Sequence, residues 1–420
     1  MKIVRVHGRE LLDSRAIPTV ECEIDLDNGR RVRAIVPSGM STGSHEAREL
    51  RDGDRRFLGK GVQKAVRNIN TVIAKKIEGK DPRNQGELDA MLFKLDGTEN
   101  KSKLGSNAIL ACSIAFAKAG ALAEKKEIFE YIAGLEKKPN FNMPVPFANI
   151  INGGLHAGTG LKIQEFMIAP TNAKSFSEAC RIIVEIYHSL KASLKKKFGN
   201  SAVNVGDEGG FAPPINTTAK ALELIQKAID ELGYSKETRI AMDAAASEFY
   251  ENGRYVVDGK AFVDGELVDY YMDLVKNFKL ISIEDPFGED EWKSFSELNR
   301  KIGSKIQIVG DDLTVTNTKR LKKAIELKCG NCLLLKVNQI GSLSESFVAC
   351  NYAYKHGWKV MVSHRSGETE DPFIADLAVA LNCKQIKLGA PARGERTAKY
   401  NQLLRIEDRL DGKAKYSWVK

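Results

Sequence analysis

The chain has 420 residues, of which 43% are apolar and 28% are charged. This composition is typical of a globular protein with two or three domains, or one large barrel with an appendage, and argues against a disordered or fibrous chain. Basic residues exceed acidic ones by 64 to 55, which gives a formal net charge of +9. Such a charge permits contact with nucleic acid. The lysine runs at 195–197 and 322–323, however, are more typical of solvated helix faces. The seven cysteines are odd in number and scattered, which indicates reduced thiols. We therefore expect a cytoplasmic protein, and one that requires neither nucleic acid nor a membrane.

The first 135 residues are predicted to form a smaller N-terminal α+β domain. Two strands, at 20–27 and 30–36, are joined by Asn28-Gly29, a pair typical of two-residue hairpin turns. A mobile loop rich in glycine and serine is expected at 37–44. Helical periodicity follows at 62–77 and 107–133, and the polar stretch 136–142 has the composition of a linker.

Residues 143–420 show a different pattern, in which short apolar runs alternate with helical stretches. Runs of this kind, buried on both faces, are typical of a parallel sheet. Repeated strand-helix units predict an α/β fold whose C-terminal part is a TIM-like β/α barrel. The predicted strands are residues 202–205, 240–242, 280–283, 306–309, 333–335, 360–362 and 385–388.

Nearly every apolar run ends at or next to a polar or charged residue. Because the carboxyl ends of barrel strands meet at one rim, these side chains should converge on one site. The residues are Glu208, Asp243, Glu284, Asp311, Lys336, His364 and Lys387.

Three carboxylates at successive strand ends, Asp243, Glu284 and Asp311, suit a hard cation such as magnesium better than zinc. Helix capping is the alternative explanation for each of them alone. Lys336 closes an apolar run, so burial should lower its pKa toward that of a usable general base. A salt bridge to the neighbouring carboxylates is the alternative for this lysine.

Two further carboxylates, Glu165 and Glu208, would form a general acid if they approach each other, because proximity raises one pKa. Two unrelated surface carboxylates are the alternative. The segment 364–366 and Lys387 supply cationic donors suited to a phosphate or a carboxylate. His156 lies in a glycine-rich loop that allows close approach of a ligand. Together these features predict a magnesium-dependent enzyme that removes a weakly acidic proton next to a carboxylate of a small anion.

Motifs along almost the whole chain carry a family resemblance. The most specific are Gly-Asp-Glu-Gly-Gly at 206–210 and Ser-His-Arg-Ser-Gly-Glu-Thr-Glu-Asp at 363–371, with Gln-Glu-Phe-Met at 164–167 and Ser-Ile-Glu-Asp-Pro-Phe at 282–287. On these residues the sequence resembles the enolase family, the phosphopyruvate hydratases of glycolysis. The resemblance implies an enolase-type barrel and a reversible dehydration of 2-phosphoglycerate to phosphoenolpyruvate.

The resemblance also implies roles for individual residues. Lys336 would be the base and Glu208 the acid, with Glu165 as its partner. Two magnesium ions would bind per active site, the first at Asp243, Glu284 and Asp311, the second with the help of Ser41 on the loop. Substrate would be bound by His156, Gln164, His364, Arg365, Ser366 and Lys387.

The family is usually a homodimer and sometimes an octamer, and the resemblance implies that Glu21 and Arg405 lie at the dimer contact. Two departures from the family pattern are visible. Ala16-Ile17 stands where the family has Gly-Asn, and Met40 stands where the loop usually has Ala. The loss of a glycine matters if that position requires a positive φ.

Two other functions are consistent with parts of the sequence. One is dehydration of a non-phosphorylated acid by another member of the same superfamily, which the phosphate-binding residues disfavour. The other is an inactive binding protein that uses its positive charge on RNA or an anionic surface. The charged rim disfavours this alternative, because a binding module has no need for Lys336 and Glu208 together.

Overall fold

The computed structural model describes residues 1–40, 43–138 and 140–418. Its strands, in chain order, are β1 Ile3–Leu12, β2 Pro18–Leu26, β3 Arg31–Ile35, β4 Asn142–Met143, β5 Val145–Asn152, β6 Glu165–Ala169, β7 Arg239–Asp243, β8 Tyr250–Glu251, β9 Arg254–Val257, β10 Lys260–Phe262, β11 Leu280–Glu284, β12 Gln307–Gly310, β13 Cys332–Leu335, β14 Lys359–Ser363, β15 Gln385–Lys387 and β16 Lys415–Tyr416.

The helices of the described residues are α1 Gln63–Asn68, α2 Ala74–Ile77, α3 Gln85–Asp96, α4 Ser106–Ala123, α5 Ile128–Leu135, α6 Phe176–Phe198, α7 Thr218–Glu231, α8 Asp264–Phe278, α9 Trp292–Ile302, α10 Thr318–Glu326, α11 Val337–Ile340, α12 Leu343–Lys355, α13 Phe373–Ala380 and α14 Gly394–Leu410. Short 3₁₀ turns occur at Arg56–Gly59, Gly154–His156, Asn200–Val203 and Ala246–Phe249, and a π turn at Ile69–Ile73 joins α1 to α2.

The N-terminal region is an antiparallel sheet in the order β1-β2-β3, covered by helices. The predicted hairpin is confirmed, and Gly29 takes the positive φ of 78° that its turn requires. The predicted helix at 62–77 is also present, whereas the one at 107–133 breaks into α4 and α5 around Lys125, which has a positive φ. Strand β1 was not predicted, because its half-exposed residues give no clean alternation.

Helix α4 is the one helix of the described chain that is long and apolar enough to cross a membrane. Most of its residues are buried, and it packs against β2 and β3. It is therefore a core helix of the N-terminal region.

Eight strands close into the predicted barrel in the order β5-β6-β7-β11-β12-β13-β14-β15. Two predictions about it are wrong. Residues 202–205 are not a strand; the first two of them end a 3₁₀ turn, and the barrel instead begins with β5 and β6. The barrel is also not wholly parallel, because β6 runs antiparallel to both of its neighbours.

The end of β3 and the segment after it contact the carboxyl end of the barrel. Ser38 forms a bridge with Gly367, and the backbone N–H of Ile35 donates to Asp371, 3.1 Å away. Asp371 also forms an ion pair of 2.7 Å with Lys118 of α4. These contacts bring the N-terminal region to the rim at which the site lies.

The elements divide along the chain between α5 and β4, so we propose the domain boundary between residues 135 and 143.

The homodimer or octamer stays a prediction. Of the two residues expected at a dimer contact, Arg405 is exposed, whereas Glu21 is buried and paired with Arg9 of the same chain.

The turn at residues 13–17 contains the first departure from the family pattern. Asp13 holds the turn through its Oδ1, which accepts from the backbone N–H groups of Arg15 and Ile17 at 2.8 and 2.9 Å. Ala16 has a φ of 58° in this turn. The position therefore requires left-handed backbone, which a residue with a Cβ adopts at a cost of about 1 kcal/mol.

Replacing Ala16 by Gly should raise the free energy of unfolding by about 1 kcal/mol, because glycine adopts a positive φ without steric penalty. Chemical denaturation measured by circular dichroism gives the shift. The matched control is Ala192→Gly, on the exposed face of α6, where the same change should lower stability by about 1 kcal/mol. A loss of stability in the Ala16→Gly variant would contradict the interpretation.

Candidate active site

A small cavity lies at the carboxyl end of the barrel. Every side chain that lines it was selected from the sequence. The lining residues are His156, Gln164, Glu165, Glu208, Asp311, Lys336, His364, Arg365, Ser366 and Lys387. The expected convergence of charged residues on one rim is therefore what the structure shows.

Lys387, the last residue of β15, is the cation at the centre of the buried charges. Its Nζ lies 2.8 Å from Glu165, 3.0 Å from Asp243 and 2.9 Å from Glu284. Burial alone would lower the pKa of this ammonium, but the surrounding carboxylates raise it well above its usual value. Lys387 is therefore charged and joins strands on different sides of the barrel.

The three predicted metal ligands lie at adjacent strand ends. Asp243 and Glu284 end β7 and β11, and Asp311 directly follows β12. All three are buried, and burial together with the charge of Asp243 raises the pKa of Glu284 well above its usual value. Their ion-pair partners differ, since Asp243 and Glu284 contact Lys387 whereas Asp311 contacts Lys336.

Asp311 also belongs to a compact group with Asp285 and Asp312. Asp285 orients this segment, since its carboxylate accepts from the backbone N–H groups of Asp311 and Asp312 at 2.8 and 2.7 Å. Buried oxygen donors without a thiolate are chemically suited to a hard cation such as magnesium. The carboxylates of both groups, the predicted one and the one around Asp285, therefore suit magnesium.

Lys336 follows β13, and its backbone N–H donates to Thr316 Oγ1 at 2.9 Å. Its Nζ forms an ion pair with Asp311, so the alternative of a salt bridge is present in the structure. Burial would lower the pKa of Lys336, but the charge of Asp311 outweighs burial and the pKa is raised. The expectation of a lowered pKa is therefore wrong for this arrangement of charges.

Glu165 and Glu208 approach each other as expected, and Asn149 of β5 donates to both carboxylates at 2.8 and 2.7 Å. Burial and the charge of Glu208 raise the pKa of Glu165 to about 8. Burial acts in the same direction on Glu208, but the charge of His156, its hydrogen bond and the charge of Lys387 lower the pKa of Glu208 well below the usual value. Of the two carboxyl groups, Glu165 is therefore the one whose surroundings favour the protonated form.

Several buried polar atoms of the lining residues have no hydrogen-bond partner among the described residues. They include Nε2 of His156, Oε1 of Gln164 and Nε2 of His364. An unpaired buried polar atom costs about 1–3 kcal/mol, so such atoms are rare away from sites that bind a ligand. Their grouping at this cavity indicates a site for a polar molecule.

The N-terminal region supplies contacts to the same cavity. Glu46 forms a bidentate ion pair with Arg365, at 2.9 and 3.0 Å. Ser366 Oγ accepts from the backbone N–H of Met40 at 2.8 Å and from Arg15 at 3.2 Å. Ser41, the predicted ligand of a second metal, lies outside the described residues.

The sequence analysis missed three residues that hold the site together: Asn149, Glu46 and Arg396. Asn149 is a fully buried polar residue within the apolar strand β5, a signal that could have been used. Glu46 and Arg396 lie in ordinary polar stretches, and nothing in the sequence separates them from solvated residues.

Two family models match the chain. "Enolase, N-terminal domain" covers residues 3–132, and "Enolase, C-terminal TIM barrel domain" covers residues 140–420. Among curated relatives, the enolase of Thermococcus gammatolerans is 55% identical over 99% of this chain and 96% of its own length. The enolases of Pyrococcus furiosus and Methanocaldococcus jannaschii are both 54% identical over 99% of this chain and 97% of their own length.

The family models together span nearly the whole chain, and these relatives are more than half identical to it from end to end. The chain therefore belongs to the enolase family of lyases, the phosphopyruvate hydratases.

Proposed function

We propose that the chain catalyses the reversible dehydration of 2-phosphoglycerate to phosphoenolpyruvate, a step of glycolysis and gluconeogenesis. The observation that supports this most directly is one cavity lined by both Lys336 and Glu208, with the cations Arg365 and Lys387 beside them. A base, an acid and two fixed cations are what a dehydration next to a carboxylate requires.

Lys336 is the proposed base, which takes the proton from the carbon next to the substrate carboxylate. To accept a proton, its ammonium must first become neutral. This requires that another cation compensate the charge of Asp311, which now raises the pKa of Lys336.

Glu208 is the proposed acid, which protonates the departing hydroxyl. It is held by Asn149 and Asn152 of β5, and β5 is three strands around the barrel from β13, which Lys336 follows. Asn149 also donates to Glu165, the carboxyl group whose pKa is raised to about 8, so one amide contacts both carboxyl groups. We propose that the two carboxylates act as one acid with a single shared proton.

Charged and polar side chains of the same cavity would bind the substrate. Arg365, whose guanidinium pairs with Glu46, places a buried positive charge next to the hydroxyl of Ser366, and this charge favours an anionic phosphate. His156, Gln164 and His364 contribute the unpaired polar atoms described above, and Lys387 contributes a buried ammonium. A small anion with two charged ends matches this arrangement of cationic and polar side chains around the cavity.

Magnesium is the proposed cofactor, held first by Asp243, Glu284 and Asp311, with a second ion bound with the help of Ser41. Bound there, it would supply the positive charge that stabilises the dianionic carboxylate formed when the α-proton leaves.

The direct test is an absorbance assay for phosphoenolpyruvate formed from 2-phosphoglycerate, with and without magnesium. We expect product only when magnesium is present. Turnover of non-phosphorylated hydroxy acids, without turnover of 2-phosphoglycerate, would favour a different dehydratase of the superfamily instead.

Lys336→Ala and Glu208→Gln should block different steps. Both variants should lose turnover by roughly three or more powers of ten, because proton transfer and charge stabilisation are both lost. Only Lys336→Ala should abolish exchange of the substrate α-proton with deuterated water, which NMR measures. The control is Lys359→Ala, at the opposite end of the barrel on β14, which should exchange normally. Equal loss of exchange in Glu208→Gln would show that the roles are assigned wrongly.

Magnesium should bind in two unequal steps. Calorimetry should detect one ion in the free protein and a second only with a phosphonate inhibitor of the reaction. Glu284→Gln should remove the first ion, because it deletes a buried carboxylate charge, and Ser41→Ala should weaken only the second. Glu251→Gln, an exposed residue of β8, is the control and should change neither. Two equal sites in the free protein would contradict this order.

A further inference from the structure

Arg396, near the start of α14, is the largest side chain that is fully buried in the described chain. Its Nη1 donates to His364 Nδ1 at 2.7 Å and to the backbone carbonyl of Arg365 at 2.6 Å. Its Nη2 donates to the carbonyls of Ser366 at 2.7 Å and Asp207 at 3.0 Å. One guanidinium thus joins the segment that carries Glu208 to the segment that carries three lining residues of the cavity.

The contact with Nδ1 determines the protonation of His364. A guanidinium remains protonated in proteins and has only donors. Nδ1 must therefore accept the hydrogen bond, because an N–H at that atom would face another N–H at 2.7 Å. It follows that His364 is neutral and carries its single proton on Nε2.

The protonated Nε2 faces the proposed acid, with Nε2 of His364 3.5 Å from Oε1 of Glu208. Burial lowers the pKa of His364 well below its usual value, and Arg396, Lys387 and Lys336 lower it further against the opposing effect of Glu208. The sequence analysis treated residue 364 as part of a cationic segment. The geometry instead makes it a neutral donor.

We propose that Arg396 is a positioning residue for the reaction, one that fixes His364 as a neutral Nε2–H donor beside Glu208. The effect of Arg396 on turnover rests on the proposed function, whereas its effect on the tautomer of His364 does not. Arg396 acts through His364 and through the two carbonyl-bound segments and does not itself line the cavity.

Two substitutions separate the effect of losing the hydrogen-bond donors of Arg396 from the effect of losing its side-chain volume. Arg396→Met removes every donor and retains a long side chain, whereas Arg396→Lys retains a cation that can still donate to Nδ1. The control is Tyr400→Phe, also on α14, which removes a buried hydrogen bond of 2.7 Å to the Gly389 carbonyl. This variant removes a hydrogen bond of the same helix but removes no hydrogen bond to His364.

The first measurement is NMR of protein labelled with [¹⁵N]histidine, which is readable because the chain has six histidines. The His364 signal, assigned by its loss in His364→Gln, should show the Nε2–H tautomer in the wild-type protein and in Tyr400→Phe. Arg396→Met should lose that fixed tautomer, and Arg396→Lys should keep it. A wild-type His364 protonated on Nδ1, or on both nitrogens, would overturn the proposal whether or not the protein is active.

The second measurement is steady-state kinetics with 2-phosphoglycerate at saturating magnesium. Arg396→Met should lower kcat by about 10- to 100-fold, the usual effect of removing a group that orients a site histidine, with KM changed much less. Arg396→Lys should recover part of the loss, and Tyr400→Phe should retain the wild-type kcat. An equal loss of kcat in Tyr400→Phe, or an unchanged kcat in Arg396→Met, would overturn the proposal. Absence of activity in the wild-type protein would instead contradict the proposed function.

Discussion

The balance of buried charge around Lys387 is the constraint on which the rest of the site depends. An uncompensated ion inside a protein costs several kcal/mol, so each carboxylate and ammonium at this end of the barrel needs a partner of opposite sign. Lys387 contacts carboxylates from β6, β7 and β11, and Asp311 contacts Lys336. Because these partners come from different strands, the barrel must close with one register for all of them to meet.

The same requirement extends to the N-terminal region. Arg365 could not remain buried beside other cations without the carboxylate of Glu46, which comes from the segment after β3. Arg15 reaches Ser366 from the turn that contains Ala16. The cavity is therefore completed by two parts of the chain, and a strained turn more than 300 residues away in sequence contributes to its position.

The rim was predictable from the sequence because charged residues that follow apolar runs are visible without any knowledge of the fold. Strand β5 was not, because the buried Asn149 interrupts the apolar pattern by which buried strands are recognised. In β6 the apolar residues follow Glu165 without interruption, so this strand could have been recognised. The run at 202–205 misled for a different reason, since of its three apolar residues only Ala202 is buried, and Val205 is exposed. Strand direction depends on connections that the pattern does not encode, so the reversal of β6 could not be predicted.

Charge states were the least predictable feature, because they depend on which groups touch. Burial alone would have made Lys336 a ready base, yet contact with Asp311 reverses the direction of its pKa shift. Asp311 is itself held by the amide of Gln339 at 2.8 Å and oriented through its backbone by Asp285. Asp311 is thus the partner of the proposed base and, at the same time, a proposed metal ligand. Positive charge added at this carboxylate would lower the pKa of the adjacent ammonium, so a cofactor bound as proposed would activate the proposed base through this single side chain.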